Sequence, residues 1–144
     1  MQDADRDEEV VLRLLELFQR MRVHWEANCA SRGLTPAEGQ ALHRLEAPVP
    51  MRAMAAALHC DASYVTQLTD RLEAAGLVER AADPADRRVR QLRLTDQGSA
   101  ARAALIAASH IGSPAHAPLA QPQRRELLQL LRTMTDGAPG SATC

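Results

Sequence analysis

The chain has 144 residues and a formal net charge of −1, enough for one domain with a real core and too balanced for global charge to mark a nucleic-acid binder. Aromatic residues make up only 2% and alanine and leucine dominate, which favours helix over sheet. All 17 basic side chains are arginine, so every cation present can form a bidentate fork.

No apolar run approaches the ~18 residues of a membrane span. The opening "MQDADRDEE" is acidic, unlike a signal or transit peptide, so a cytoplasmic protein is expected. Cys29, Cys60 and Cys144 are scattered and form no C-x-x-C, which argues against a disulfide framework or a cysteine-rich zinc site.

Along the chain, Leu14, Phe18, Met21, Trp25 and Cys29 recur at helical spacing and predict a long amphipathic helix over roughly 7–31. "TPAE" then starts a second helix: Thr35 caps, Pro36 takes the first helical position and Glu38 completes a capping box. This helix runs to about Glu46 with Ala41, Leu42 and Leu45 inward. "APVP" is a stiff connector to a short helix over about 51–58, with Met54, Ala55 and Leu58 inward. After "HCD", Asp61 caps a helix over about 62–75, and Gly76 ends it. Two helices joined by so short a turn have helix-turn-helix spacing.

The period then changes. "LVERA" and "RVRQLRL" predict a β-hairpin over about 77–81 and 88–94, tipped by the polar "ADPADR". Thr95 caps a further helix over about 96–110, "GSPAHAP" breaks it, and an amphipathic helix over about 121–134 carries Leu127, Leu128, Leu130 and Leu131. The tail from 137 to 144 is expected to be disordered. The expected class is therefore mainly α with a small β-hairpin wing, a winged helix-turn-helix.

In such a fold the second helix of the pair lies in a DNA major groove. Val65, Leu68 and Leu72 should face inward, leaving Ser63, Tyr64, Thr66, Gln67, Asp70 and Arg71 outward. Short hydroxyls and an amide suit close approach to phosphates and base edges. Gln67 can read adenine, and Arg71 can read guanine or hold phosphate. Arg87, Arg88, Arg90 and Arg93 crowd the hairpin tip and its return strand. An arginine there can enter a narrow minor groove, with Asp86 holding the Arg88 guanidinium in one pose while the others take phosphates. An arginine-rich edge strand can also serve only to block aggregation; its position after a helix-turn-helix favours the DNA reading.

Residues 58–98, "LHCDASYVTQLTDRLEAAGLVERAADPADRRVRQLRLTDQG", resemble the core of the MarR (multiple antibiotic resistance regulator) family, with further matches in "GLTPAEGQALHRL" and "PLAQPQRRELLQLL". The resemblance implies a ligand-responsive repressor that binds a palindromic double-stranded DNA operator as a homodimer. It implies a dimerisation helix over 1–34, a DNA-binding region over 35–95 and C-terminal dimerisation helices over 96–136. It makes Arg88 the minor-groove residue with Asp86 as its orienting partner, and recognition positions of Ser63, Tyr64, Thr66 and Gln67. It also makes Asp70 a partner of the wing, with Arg87 the candidate mate. His59-Cys60 departs from the glycine-apolar pair common at the turn, and "IGSPAHAP" breaks the penultimate helix early.

Relatives respond to small anionic aromatic molecules held between dimer helices and winged region, where Arg22, His24, Trp25 and Asn28 would stand. Core packing is the competing role for Trp25, and solvent exposure for Arg22 and His24. A redox role would fall to Cys60, beside a helix start, although Asp61 next to it disfavours a thiolate. Cys29 on the apolar stripe is expected to be buried and inert. His24, Cys29, His43, His110 and His116 supply no i, i+4 histidine pair, so no metal and no cofactor are expected. No phosphate loop, nucleophile elbow or H-E-x-x-H is present, so an enzyme is not expected. The alternatives kept are a thiol-based redox regulator on the same fold and a helical adaptor that has lost DNA binding.

Overall fold

The computed structural model describes residues 2–111, 113 and 117–136. Its elements are α1 (Gln2–Ala30), α2 (Pro36–Arg44), β1 (Val49–Pro50), α3 (Met51–Leu58), α4 (Ala62–Ala74), β2 (Val78–Ala82), β3 (Arg90–Leu94), α5 (Asp96–His110) and α6 (Gln121–Asp136). The expected class is the observed one, mainly helical with a small antiparallel sheet. The tail from 137 to 144 and His116 lie outside the described residues.

Local chemistry sets the helix starts. Thr35 accepts the Glu38 N–H at 3.2 Å, and the Glu38 carboxylate accepts the Thr35 N–H at 2.9 Å, the reciprocal cap expected of "TPAE". The Asp61 carboxylate accepts the Tyr64 N–H at 2.7 Å, and the Thr95 hydroxyl accepts the Gly98 N–H at 3.0 Å. His59 closes α3 in the left-handed region at φ 54°, a conformation in which a side chain costs energy.

One core joins α1 through α5. Leu42 and Leu45 of α2 and its exit, Met54 and Leu58 of α3, Val65, Leu68 and Leu72 of α4, Val78, Leu92 and Leu105 are all buried. The inward faces expected of α2 and α4 are those observed; on α3, Met54 and Leu58 are buried and Ala55 is half-buried. Gly98 lets α5 begin against the sheet, since a Cβ there would lie 1.8 Å from the Leu77 carbonyl oxygen.

Two elements differ from expectation. The "APVP" connector contains β1, which pairs antiparallel with β3 (Val49 opposite Leu92) and makes a three-stranded sheet of order β1-β3-β2. A two-residue strand holding a proline has no alternation of its own; its partner defines it, and an edge position tolerates the missing N–H. The other is α1, which begins at Gln2 instead of near 7, and its apolar stripe is buried only at one end. Cys29 is buried and Trp25 half-buried, whereas Phe18 and Met21 are 64% and 40% exposed. No residue of α6 is buried either.

Candidate nucleic-acid interface

The recognition helix α4 packs Val65, Leu68, Thr69 and Leu72 into the core, so its opposite side faces solvent. Ser63, Tyr64, Thr66, Gln67, Asp70 and Arg71 all lie on that exposed side. Their polar groups are unequally available. The Ser63 hydroxyl donates to Asp61 at 2.6 Å, and the Thr66 hydroxyl donates back to the Ala62 carbonyl at 2.9 Å. The Ser63 hydroxyl and the Tyr64 amide together hold the Asp61 carboxyl below its ordinary range. The side chains of Tyr64 and Gln67 have no polar partner among the described residues.

Arg71 stands on the outward side that its spacing predicts, but it carries an ion pair that the sequence did not suggest. Its Nε donates to Glu38 at 2.8 Å, across the gap from α4 to α2. Glu38, nearly buried at 7% exposure, therefore serves two structures at once, the α2 cap and the brace to the recognition helix. Burial pushes its carboxyl up, but the Thr35 amide, the Arg71 guanidinium and the Thr35 hydroxyl together hold it below its ordinary value. The sequence revealed the cap and not the brace.

Asp70 does pair with the hairpin, but through Arg80 at 2.6 Å and not through Arg87. Arg80 stands on β2 facing α4, where it also engages Glu73 and the Thr66 carbonyl. The Asp70 hydrogen bond, opposed by desolvation and aided by the Glu73 charge, raises the guanidinium above its ordinary value. Arg80 is the strut that fixes the wing against the recognition helix. A hint lay in the sequence: Asp70 and Glu73, one helical turn apart, share a face just before the strand that bears Arg80.

The tip of the wing, residues 83–89, is built on two aspartates. Asp83 accepts the Ala85 N–H at 2.8 Å and the Gln91 side-chain amide at 2.6 Å, and the Asp83 N–H donates to the Val89 carbonyl at 2.9 Å. Asp86 accepts the backbone N–H of Arg88 at 3.0 Å. Asp86 thus orients Arg88 through the main chain and not by gripping its guanidinium. Asp-x-x turns of this kind follow from a carboxylate that reaches its own backbone two residues on, a signal that "DPAD" carries and that Asp83 uses as well.

The arginines of α4 and the hairpin divide into two groups. Arg71, Arg80 and Arg93 are each held by a carboxylate, the last by Glu79 on the neighbouring strand. Arg87, Arg88 and Arg90 are exposed, and none of their guanidinium groups has a partner among the described residues. Within α4 and the hairpin the free positive charge gathers at the tip and the start of β3.

Arg22, His24 and Trp25 line an open cleft of about 380 Å³ together with Phe18, Met21 and Gln40. The Trp25 indole N–H donates to the Pro36 carbonyl at 3.2 Å, and Arg22 is engaged by Glu26 at 2.6 Å. Asn28 is buried and spent on structure: its amide donates to the Leu105 carbonyl and the Ser109 hydroxyl, tying α1 to α5. Cys29 is a free, fully buried thiol that burial, partly offset by Arg32, pushes up to about 11. Cys60 is half-buried at the turn, its Sγ 3.2 Å from the Leu58 carbonyl oxygen. Among the described residues no cluster of metal-binding side chains occurs, and no helix is long and apolar enough to cross a membrane.

Residues 34–89 match the MarR family model. Over nearly its whole length the chain is similar to a probable transcriptional regulator from Pseudomonas aeruginosa, at 32% identity, 89% of this chain and 98% of that one, with a TM-score of 0.68. The chain belongs to the MarR family. It is also similar to BpsR from Bordetella bronchiseptica, at 26% identity, 89% and 99% coverage and a TM-score of 0.69; the DNA binding of that protein is regulated by 6-hydroxynicotinic acid. AbsC from Streptomyces coelicolor, a MarR family transcriptional regulator, shares the fold with a TM-score of 0.77 at 24% identity, over 92% and 93% of the two chains. No curated protein matches the chain. AbsC is a MarR family transcriptional regulator and the Pseudomonas protein a probable transcriptional regulator, and the winged helix-turn-helix is the fold they share with this chain.

Proposed function

We propose that this MarR member is a repressor that binds a palindromic operator in double-stranded DNA as a homodimer. The observation that carries this reading is the sorting of the arginines. Among the arginines of α4 and the hairpin, carboxylates occupy Arg71, Arg80 and Arg93, and the three left without partners, Arg87, Arg88 and Arg90, project from the wing. A free guanidinium group at a wing tip suits a narrow, strongly negative minor groove, and its neighbours suit the flanking phosphates. The recognition helix, strutted to the wing by Arg80, then enters the adjacent major groove.

The homodimer rests on α1 and α6. Val10, Leu15 and Phe18 of α1 and Leu127, Leu128 and Leu131 of α6 are exposed in the single chain. A helix of 16 residues with nothing buried is marginal in water and gains its stability by packing its apolar face. A second copy supplies that packing and sets two recognition helices about 34 Å apart, one turn of DNA. The cleft of Arg22, His24 and Trp25 is the place for a small anionic aromatic effector, with the indole as a stacking surface.

The test is selection of duplexes from a random library by the purified protein, followed by anisotropy titration of the selected duplex and a scrambled one. Tight binding confined to the selected duplex, with two-fold symmetry in its sequence, is the expected result. Equal weak binding to both would favour the adaptor that has lost DNA binding.

A further inference from the structure

We infer that the recognition helix reads its operator in A·T terms, with Gln67 selecting an adenine and the methyl group of Thr66 packing on a neighbouring thymine. The inference rests on the proposed DNA-binding reading and specifies what α4 recognises.

The argument starts from what the exposed side of α4 still has to offer. Guanine is most often read by a bidentate arginine. The arginine on this side of α4, Arg71, is anchored to Glu38 through its Nε alone, with its terminal amino groups beside α2 and unpartnered among the described residues, and Arg80, the arginine packed against α4, is held by Asp70 and Glu73. The outward residues of the first two turns, Ala62, Ser63, Tyr64, Thr66 and Gln67, carry no charge at all. Their hydroxyls are also committed. Ser63 gives its proton to Asp61, and Thr66 gives its proton to the Ala62 carbonyl. Neither can donate to the N7 or O6 acceptors of guanine without giving up an existing bond.

Three groups remain uncommitted: the Tyr64 phenol, a single hydroxyl that can pair no base bidentately, the Gln67 amide and the Thr66 methyl. The Gln67 amide has both a donor and an acceptor, which match adenine N7 and N6 on its major-groove edge and fit no other base bidentately. Thr66, its hydroxyl turned back into the helix, offers its γ-methyl, the natural neighbour of a thymine methyl group. Gln67 lies one turn beyond both Ser63 and Tyr64, so the phenol and the amide stand side by side on one face.

The test is the library selection repeated with two variants. Gln67→Glu replaces the donor-acceptor pair with acceptors alone, which suits the cytosine amino group. Wild type should enrich adenine at one position of each half-site, by roughly 5- to 150-fold over other bases. Gln67→Glu should lose that preference at the same position, gain cytosine there and leave other positions unchanged. Thr66→Ser keeps the bond to Ala62 and removes only the methyl, so it should relax a thymine preference next to that position. If wild type enriches guanine and Arg71→Ala abolishes that preference, the Arg71 amino groups read the groove and the inference is overturned. Uniform relaxation of every position by Gln67→Glu would also overturn it, because the role would then be structural. Enrichment of no sequence by wild type would overturn the DNA-binding reading itself, and this inference with it.

Discussion

Glu38→Ala removes one nearly buried carboxylate and two unlike interactions. It takes the acceptor from the Thr35 N–H at 2.9 Å, which opens the α2 cap, and the partner from Arg71 at 2.8 Å, which frees α4 from α2. Hydrogen bonds to a charged group contribute about 1.5–3 kcal/mol each. The Arg71 side chain is 50% exposed and can reach water once released, so its half of the loss is discounted toward the value of a surface pair, below about 1 kcal/mol. The variant should therefore lose about 2–3 kcal/mol. Glu38→Gln keeps an acceptor for Thr35 and gives up the charge, so it should lose about 1 kcal/mol or less.

Urea unfolding followed by circular dichroism, at one fixed protein concentration, measures both. The pH dependence identifies the cause. The folded Glu38 carboxyl titrates below its ordinary value of 4.5, so its contribution is complete above that pH and is lost as pH falls through the lower folded value. The gap between wild type and Glu38→Gln should be widest near neutrality and close on acidification. A gap that stays constant into the acid range, or a Glu38→Ala midpoint equal to wild type, would refute the brace.

Three further outcomes are expected. His59→Gly relieves the left-handed turn residue at φ 54° and should raise stability by up to about 1 kcal/mol in the same urea assay; a lower midpoint would mean that the imidazole holds the turn in some other way. Gly98→Ala drives a methyl to 1.8 Å from the Leu77 carbonyl oxygen and should cost at least about 2 kcal/mol, because backbone must move; a loss under half that would show that the α5 start shifts freely. Leu127→Asp with Leu131→Asp places charge on the exposed apolar face of α6 and should convert a dimer to monomer in sedimentation velocity; an unchanged sedimentation coefficient would remove α6 from the interface.

The helices were legible because their signals are local. "TPAE", the Asp61 cap, Gly76 and Thr95 each fix an end within four residues, and Val65, Leu68 and Leu72 mark a face by spacing alone. The family followed from the same stretch. The ion pairs were not legible, because their partners come from different elements. Arg71 has an acidic residue, Asp70, beside it in sequence yet bonds Glu38, 33 residues away, and Arg80 takes Asp70 in place of the Arg87 expected for it. Charge spacing in the sequence shows where arginines gather; it does not show which of them the fold neutralises. β1 was hidden for a related reason, since Val49 and Pro50 are a strand only because β3 passes beside them. The exposed stripe of α1 was legible as apolar, but periodicity does not say whether an apolar face meets its own chain or another.

The central claim is that unpaired wing arginines carry the DNA contact, and the salt dependence of binding tests it most directly. Three free wing arginines per chain make six in a dimer; a guanidinium in the minor groove displaces condensed cations as one on a phosphate does, and at about 0.9 counterion released per cation the plot of log K against log salt should have a slope of about −5 on the selected duplex. Arg88→Ala removes two such contacts and should make the slope shallower by about 2, while Arg93→Ala, whose guanidinium is already held by Glu79, should leave it within error of wild type. Equal slopes for wild type and Arg88→Ala, or an Arg93→Ala slope that falls as far as that of Arg88→Ala, would contradict the account.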